Sequence, residues 1–191
     1  MKKVGILGDI GSGKSFISKQ FGFPVFNADK EVQKIYNKDK SCYRKLHKQL
    51  PKFIYSFPIK KHNLIRAIMS NSKNLNIINK TVHPIVRKKL KKFFLKNNNK
   101  KMVIIDIPLL LENKLNSKNY ILIFIEAKRK IINKKLKQRK NYNFDLIKKL
   151  KKIQYSPQTK KKLSNYIIRN NFRKEIVKKR VIIIKKEILK I

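Results

Sequence analysis

The chain has 191 residues, of which 41% are hydrophobic, and carries 51 Lys and Arg against 10 Asp and Glu for a net charge of +41. That apolar fraction supports a core and excludes wholesale disorder, and the length suits one α/β domain with an insertion. No apolar run approaches the ~20 residues of a membrane span, the opening Met1-Lys2-Lys3 leaves no room for a cleavable leader, and Cys42, alone, excludes an internal disulfide or thiolate metal site; a reducing cytoplasm is the expected setting.

Val4-Gly5-Ile6-Leu7 reads as a buried strand. All five glycines lie in the first 22 positions, and three punctuate Gly8-Asp9-Ile10-Gly11-Ser12-Gly13-Lys14-Ser15, the G-x-x-x-x-G-K-[ST] phosphate-binding pattern. A helix from Phe16 to Phe21 is predicted next, with Gly22 closing it at C′. Pro24-Val25-Phe26 reads as a second strand, leading into Asn27-Ala28-Asp29 at its carboxyl end, the edge where open α/β sheets bind ligands. From Lys30 to about Lys101 the pattern is mostly helical. Val32, Ile35 and Tyr36 share one face, Leu64, Ile65, Ile68 and Met69 another. A helix is predicted to start at Pro84, with Val86, Leu90, Phe93 and Phe94 inward and Arg87, Lys88, Lys89, Lys91 and Lys92 outward.

Met102 to Asp106 and Tyr120 to Ile125 are near-continuous apolar runs, suited to strands buried on both faces. The segment from Lys128 to Leu163 turns basic and helical, with Ile131, Ile132, Lys135, Leu136 and Arg139 at turn spacing and Leu146, Ile147, Leu150 and Ile153 repeating the pattern. Tyr166-Ile167-Ile168 reads as a last strand and Phe172 to Ile191 as a closing helix. Alternating strands and helices imply a parallel sheet. No repeat and no domain linker is visible.

Glycines in the loop permit positive φ and close approach of the backbone to a polyphosphate. Consecutive N–H groups and the following helix N-terminus then form an anion site. Lys14 is placed to reach β- and γ-phosphates and the Ser15 hydroxyl to ligate Mg²⁺; Gly11, Ser12, Gly13 and Phe16 complete the predicted ATP contacts. A pI near 10.5 invites a nucleic-acid reading. Yet lysine is spread through every segment, and Lys, Asn and Ile, all with A/T-rich codons, are abundant together, as in Lys96-Asn97-Asn98-Asn99-Lys100-Lys101. Base composition is the reading preferred for the charge, with no specific nucleic-acid partner; the excess still attracts anionic ligands.

Four further fragments narrow the function: Phe26-Asn27-Ala28-Asp29, Val82-His83-Pro84, Asp106-Ile107-Pro108-Leu109-Leu110-Leu111-Glu112, and Gln154 followed by Ile168-Arg169-Asn170-Asn171. With the phosphate loop, in this order and spacing, the chain resembles the dephospho-coenzyme A kinase family nearly end to end. The resemblance implies a P-loop NTPase-type three-layer α/β sandwich with a parallel central sheet. It implies a core of 1–29, 102–127 and 164–191, a helical acceptor-binding region of about 30–101, and a helical lid of about 128–163, all one domain. It also implies transfer of the γ-phosphoryl of ATP to the ribose 3′-hydroxyl of dephospho-coenzyme A, the step that completes coenzyme A. Lys14 and Mg²⁺ then neutralise charge, Asp29 orients and deprotonates the acceptor, Ser15 and Asp106 hold the metal, His83 and Arg87 lie on the acceptor side, and Arg139 closes from the lid. A monomer or small homo-oligomer is expected.

Read from the residues alone, each position has a plainer alternative. Asp29 fits a helix N-cap, His83 a satisfied core histidine, Asp106 a loop cap, and Arg139 a solvated helix face. The chain departs from the family pattern at Asn27, where an aspartate is expected, at Lys60-Lys61 in place of Asp-Arg, at Lys135 in place of an arginine, and at Ser164-Asn165 in place of Ala-Asp. Lysine lacks the bidentate fork of arginine, and reduced turnover is consistent with these changes. The rival enzyme reading is a small kinase of a nucleoside monophosphate or metabolite; the rival from another class is a nucleic-acid-binding ATPase, for which no stacking platform is visible.

Overall fold

The computed structural model describes residues 1–115, 119–139 and 142–190. Its contacts gather into two compact units, one of Met1–Asn27 with the chain from Asn97 onward, the other of Ala28–Lys96.

The first unit is built on five parallel strands: β1 (Lys2–Gly8), β2 (Val25–Asn27), β3 (Met102–Asp106), β4 (Tyr120–Glu126) and β5 (Tyr166–Arg169), in the order β2-β3-β1-β4-β5. Val4 stands between Ile104 and Ile121, which fixes the register of the centre. Because side chains alternate across a strand, one face collects Val4, Ile6, Met102, Ile104, Ile123, Ile125 and Ile168. Against it pack Ile17 of α1 (Lys14–Gln20), Phe21, and Val177, Val181, Ile184 and Ile188 of α9 (Lys174–Lys190). Each such side chain contributes about 1.5–3 kcal/mol on burial, so this layer holds the sheet beneath a highly charged surface. On the other face the chain following β3 crosses so near β1 that a Cβ on Gly5 would stand 2.6 Å from Leu110 Cδ2. α6 (Arg129–Lys137) buries Ile132 and Leu136, with Leu136 Cγ 2.9 Å from where a Cβ on Gly11 would stand, and α8 (Pro157–Lys162) packs beside β1. Between them, α7 (Phe144–Lys152) buries none of its residues.

The expected α/β architecture with a parallel sheet is therefore present. Gly22 ends α1 as predicted, at φ 72° with its N–H on the Lys19 carbonyl. The basic stretch 128–163 is three short helices, α7 and α8 being capped by the Asn143 and Ser156 side chains; residues 140 and 141 of it lie outside the described residues. The closing helix starts at Lys174, two residues later than predicted, because Phe172 sits at φ 64°, which no right-handed helix admits. Its predicted end, Ile191, lies outside the described residues.

The second unit is helical: α2 (Ala28–Lys38), α3 (Lys40–Gln49), α4 (Lys61–Ser70) and α5 (Ser72–Lys96). Asp39 caps α3 by accepting the Cys42 N–H at 2.9 Å. Cys42 is fully buried, and burial raises its thiol to about 11, as befits an incidental thiol. The prediction that a helix begins at Pro84 is corrected: α5 starts at Ser72 and carries Pro84 in its interior. A stripe of Ile78, Val82, Val86 and Leu90 runs unbroken across the proline and is buried throughout. Pro84 and Lys80, whose carbonyl loses its helical donor, both lie on the exposed side. Packing of the stripe outweighs one missing bond. Lys89, expected outward, turns back to Glu31 of α2 at 3.5 Å.

Candidate active site

The phosphate loop joins β1 to α1. Gly11 and Gly13 have φ of 88° and 91°, which places both in the conformation that disfavours any side chain. Lys14 curls back over the loop, its Nζ donating to the carbonyls of Gly8 at 3.0 Å and Asp9 at 2.8 Å. Ser12 is buried, while Ser15 and Phe16 stand exposed on the first turn of α1. The helix lacks any acidic residue in that turn, so its N-terminal dipole remains available to an anion.

Three elements then meet at one carboxylate. Asp106, the last residue of β3 and 2% exposed, accepts the Ser15 hydroxyl at Oδ2 over 2.6 Å. The same Oδ2 accepts the Asn27 amide over 2.6 Å, and Asn27 Nδ2 lies 3.3 Å from Ser15 Oγ. This follows from sheet order: β2, β3 and β1 are neighbours, with Asn27 opposite Asp106 in register. A hydroxyl and a carboxylate side by side are hard oxygen donors, which suits Mg²⁺. Among the described residues no group of three or more His, Cys, Asp or Glu is placed to hold a metal ion.

In the helical unit, Asp29 is exposed in the first turn of α2. The helix begins at Ala28, so Asp29 lies inside it and not at the capping position; a carboxylate there still complements the helix dipole. His83 and Arg87 occupy successive turns of α5, His83 half-buried and Arg87 exposed. Burial, and secondarily the Arg87 charge, push the His83 imidazolium below its ordinary 6.5. As pH falls, the unfolded chain therefore takes up this proton before the folded one, and stability is lost below about 6.5 and unaffected above it. Urea midpoints at pH 7.5 and 5.5 are expected to diverge less for His83→Gln than for the parent; equal divergence refutes this account.

Arg139 lies exposed in the turn after α6, with its backbone N–H on Leu136 and no side-chain partner among the described residues. One cluster went unread in the sequence. Lys160, 1% exposed, lies 3.3 Å from Glu112 Oε1 and donates to Gln154 Oε1 at 3.0 Å, while the Tyr155 N–H donates to Glu112 Oε1 at 2.8 Å. These bonds fasten α8 to the segment after β3. Nothing in the run Lys160-Lys161-Lys162 marks its first member as the buried one; the only signal was Glu112 closing the Pro-Leu-Leu-x-Glu fragment.

The sequence model of the dephospho-CoA kinase family matches residues 2–175. The chain belongs to this family. It is 31% identical over 179 residues to the dephospho-CoA kinase of Wolbachia sp. subsp. Brugia malayi, covering 91% of each chain. With the dephospho-CoA kinase of Wolbachia pipientis wMel it shares 29% over 179 residues, again 91% of each. Among solved structures it is similar to TT1252 from Thermus thermophilus, with a TM-score of 0.78 at 22% identity over 97% of both chains, which supports the fold.

Against the dephospho-CoA kinase pattern, two departures acquire a place. Asn27 stands on the Asp106 carboxylate, as an amide donor where a carboxylate was expected. Lys135 sits with its Nζ 4.9 Å from the centroid of the Phe172 ring, a cation–π contact that links α6 to the turn after β5.

Proposed function

We propose that this chain transfers the γ-phosphoryl group of ATP to the ribose 3′-hydroxyl of dephospho-coenzyme A. The observation that carries the reading is the Ser15–Asp106 contact at the foot of a glycine loop, in a chain matched by the family over residues 2–175. The backbone N–H groups of Gly11 to Ser15 and the Lys14 ammonium hold the triphosphate. Ser15 and Asp106 hold Mg²⁺, which when bound offsets charge on the β- and γ-oxygens. The acceptor oxygen forms a bond to the γ-phosphorus as the bond to the bridging oxygen breaks, ADP leaves, and the hydroxyl proton passes to the Asp29 carboxylate. His83 and Arg87 serve the acceptor, and Arg139 reaches the phosphates. A cytoplasmic setting, a monomer or small homo-oligomer, and no specific nucleic-acid partner belong to the same proposal. No helix among the described residues is long and apolar enough to cross a membrane.

Coupled ADP release across a panel of acceptors tests the assignment: dephospho-coenzyme A is expected to give the highest kcat/KM, and a faster nucleoside monophosphate overturns it. Asp29→Asn separates the roles. Turnover is expected to fall about a hundredfold, as on loss of a positioned general base, with affinity for a fluorescent ATP analogue retained. Collapse of nucleotide affinity would assign Asp29 to the metal instead.

A further inference from the structure

Asn170 follows β5 directly and is 4% exposed. Its backbone N–H donates to the Glu126 carbonyl at 2.7 Å, which ties it to the end of β4. Both ends of its side-chain amide are engaged. Nδ2 donates to the Ser12 carbonyl at 2.8 Å, and Oδ1 accepts the Phe172 N–H at 2.8 Å. The reverse orientation of the amide would set oxygen against oxygen and N–H against N–H, so the two partners fix it.

Ser12 is the residue before Gly13 in the phosphate loop. In a planar trans peptide the carbonyl and the following N–H point in opposite directions. Drawing the Ser12 carbonyl into the interior therefore turns the Gly13 N–H outward, to the side from which an anion approaches. The fit is reciprocal: a Cβ on Gly13 would collide with Asn170 Nδ2, and Gly13 holds φ 91°. Were the peptide to flip, a carbonyl would face the phosphates and repel them.

We propose that Asn170 is a positioning residue of the phosphate site, setting the direction of the Gly13 N–H through the Ser12 carbonyl. This rests on the nucleotide-binding reading of the loop and extends it to a residue outside the motif. Asn170→Asp is nearly isosteric and keeps the acceptor for Phe172 while placing an oxygen against the Ser12 carbonyl. Its dissociation constant for inorganic tripolyphosphate and its KM for ATP are expected to rise roughly tenfold, the scale of one N–H bond to a charged group, with KM for dephospho-coenzyme A unchanged. A folded variant that binds tripolyphosphate as the parent does overturns the proposal, as does a uniform rise in both KM values. Should Asn170→Asp fail to fold, ¹⁵N-glycine labelling of the parent protein gives the same answer, since only five glycines report. Tripolyphosphate is expected to move the Gly13 resonance downfield and leave Gly22 in place; a stationary Gly13 signal beside a shifted Gly11 overturns the proposal. If the parent binds no tripolyphosphate, the nucleotide reading itself falls, and the positioning role with it.

Discussion

Lys14→Ala is expected to lower kcat/KM roughly 10³-fold while leaving the thermal melt unchanged, the scale at which charged groups on a transferring phosphoryl act. The Lys14 ammonium rests on two backbone carbonyls of its own loop, at 3.0 and 2.8 Å. Those are neutral acceptors, and phosphate oxygens offer charged ones of the same geometry, so nucleotide binding exchanges weaker bonds for stronger. Lys14 is no part of the apolar layer between sheet and helices, which is why its truncation spares the fold. Arginine is not expected to rescue activity, because its planar fork cannot occupy the point between two carbonyls that an ammonium fills. Coupled ADP release and circular dichroism on the same preparation check this. A folded alanine variant turning over at the parent rate would remove the loop from the mechanism.

Lys160→Met is expected to be the most destabilising single change, costing about 3–5 kcal/mol because it leaves a buried carboxylate without its counter-charge. Glu112 would keep only the Tyr155 N–H on Oε1, and its Oε2 is already buried without a partner among the described residues. For a chain of this length that cost lowers the melting temperature by about 10 °C. The double variant Lys160→Met with Glu112→Gln is expected to recover most of the loss, since an amide is far less costly to bury unpaired than a carboxylate. Urea midpoints for both variants decide it. A single variant as stable as the parent would mean that solvent reaches Glu112.

How far the sequence discloses this protein depends on which forces leave a local trace. Strands buried on both faces must be apolar throughout, so Met102 to Asp106 was legible to the residue. The glycines of the phosphate loop were legible because nothing else tolerates φ near 90° there. Ser15 and Asp106 were both assigned to the metal, and sheet order brings them to 2.6 Å. Pro84 misled because the rule for proline is local, whereas the stripe from Ile78 to Leu90 that overrides it spans three turns. Lys160 was illegible for a related reason: a buried lysine differs from a solvated one only through partners distant in sequence, here Glu112. Asn170 was quoted in a fragment but given no role, since its bond to Ser12 spans 158 positions.

The strand order also sets a timetable for synthesis. β1 is made first yet lies in the middle of the sheet, and its pairings are with partners a hundred residues on, Lys2 with Met102 and Lys3 with Tyr120. Until those segments have left the ribosome, Val4 to Leu7 is an apolar stretch with unpaired backbone, the kind of surface that nascent chains aggregate through. The contacts of the helices of Ala28–Lys96 gather within that unit, and local contacts form fastest. The strand that carries the phosphate loop thus waits for its sheet neighbours until Met102 and the residues beyond it have been made.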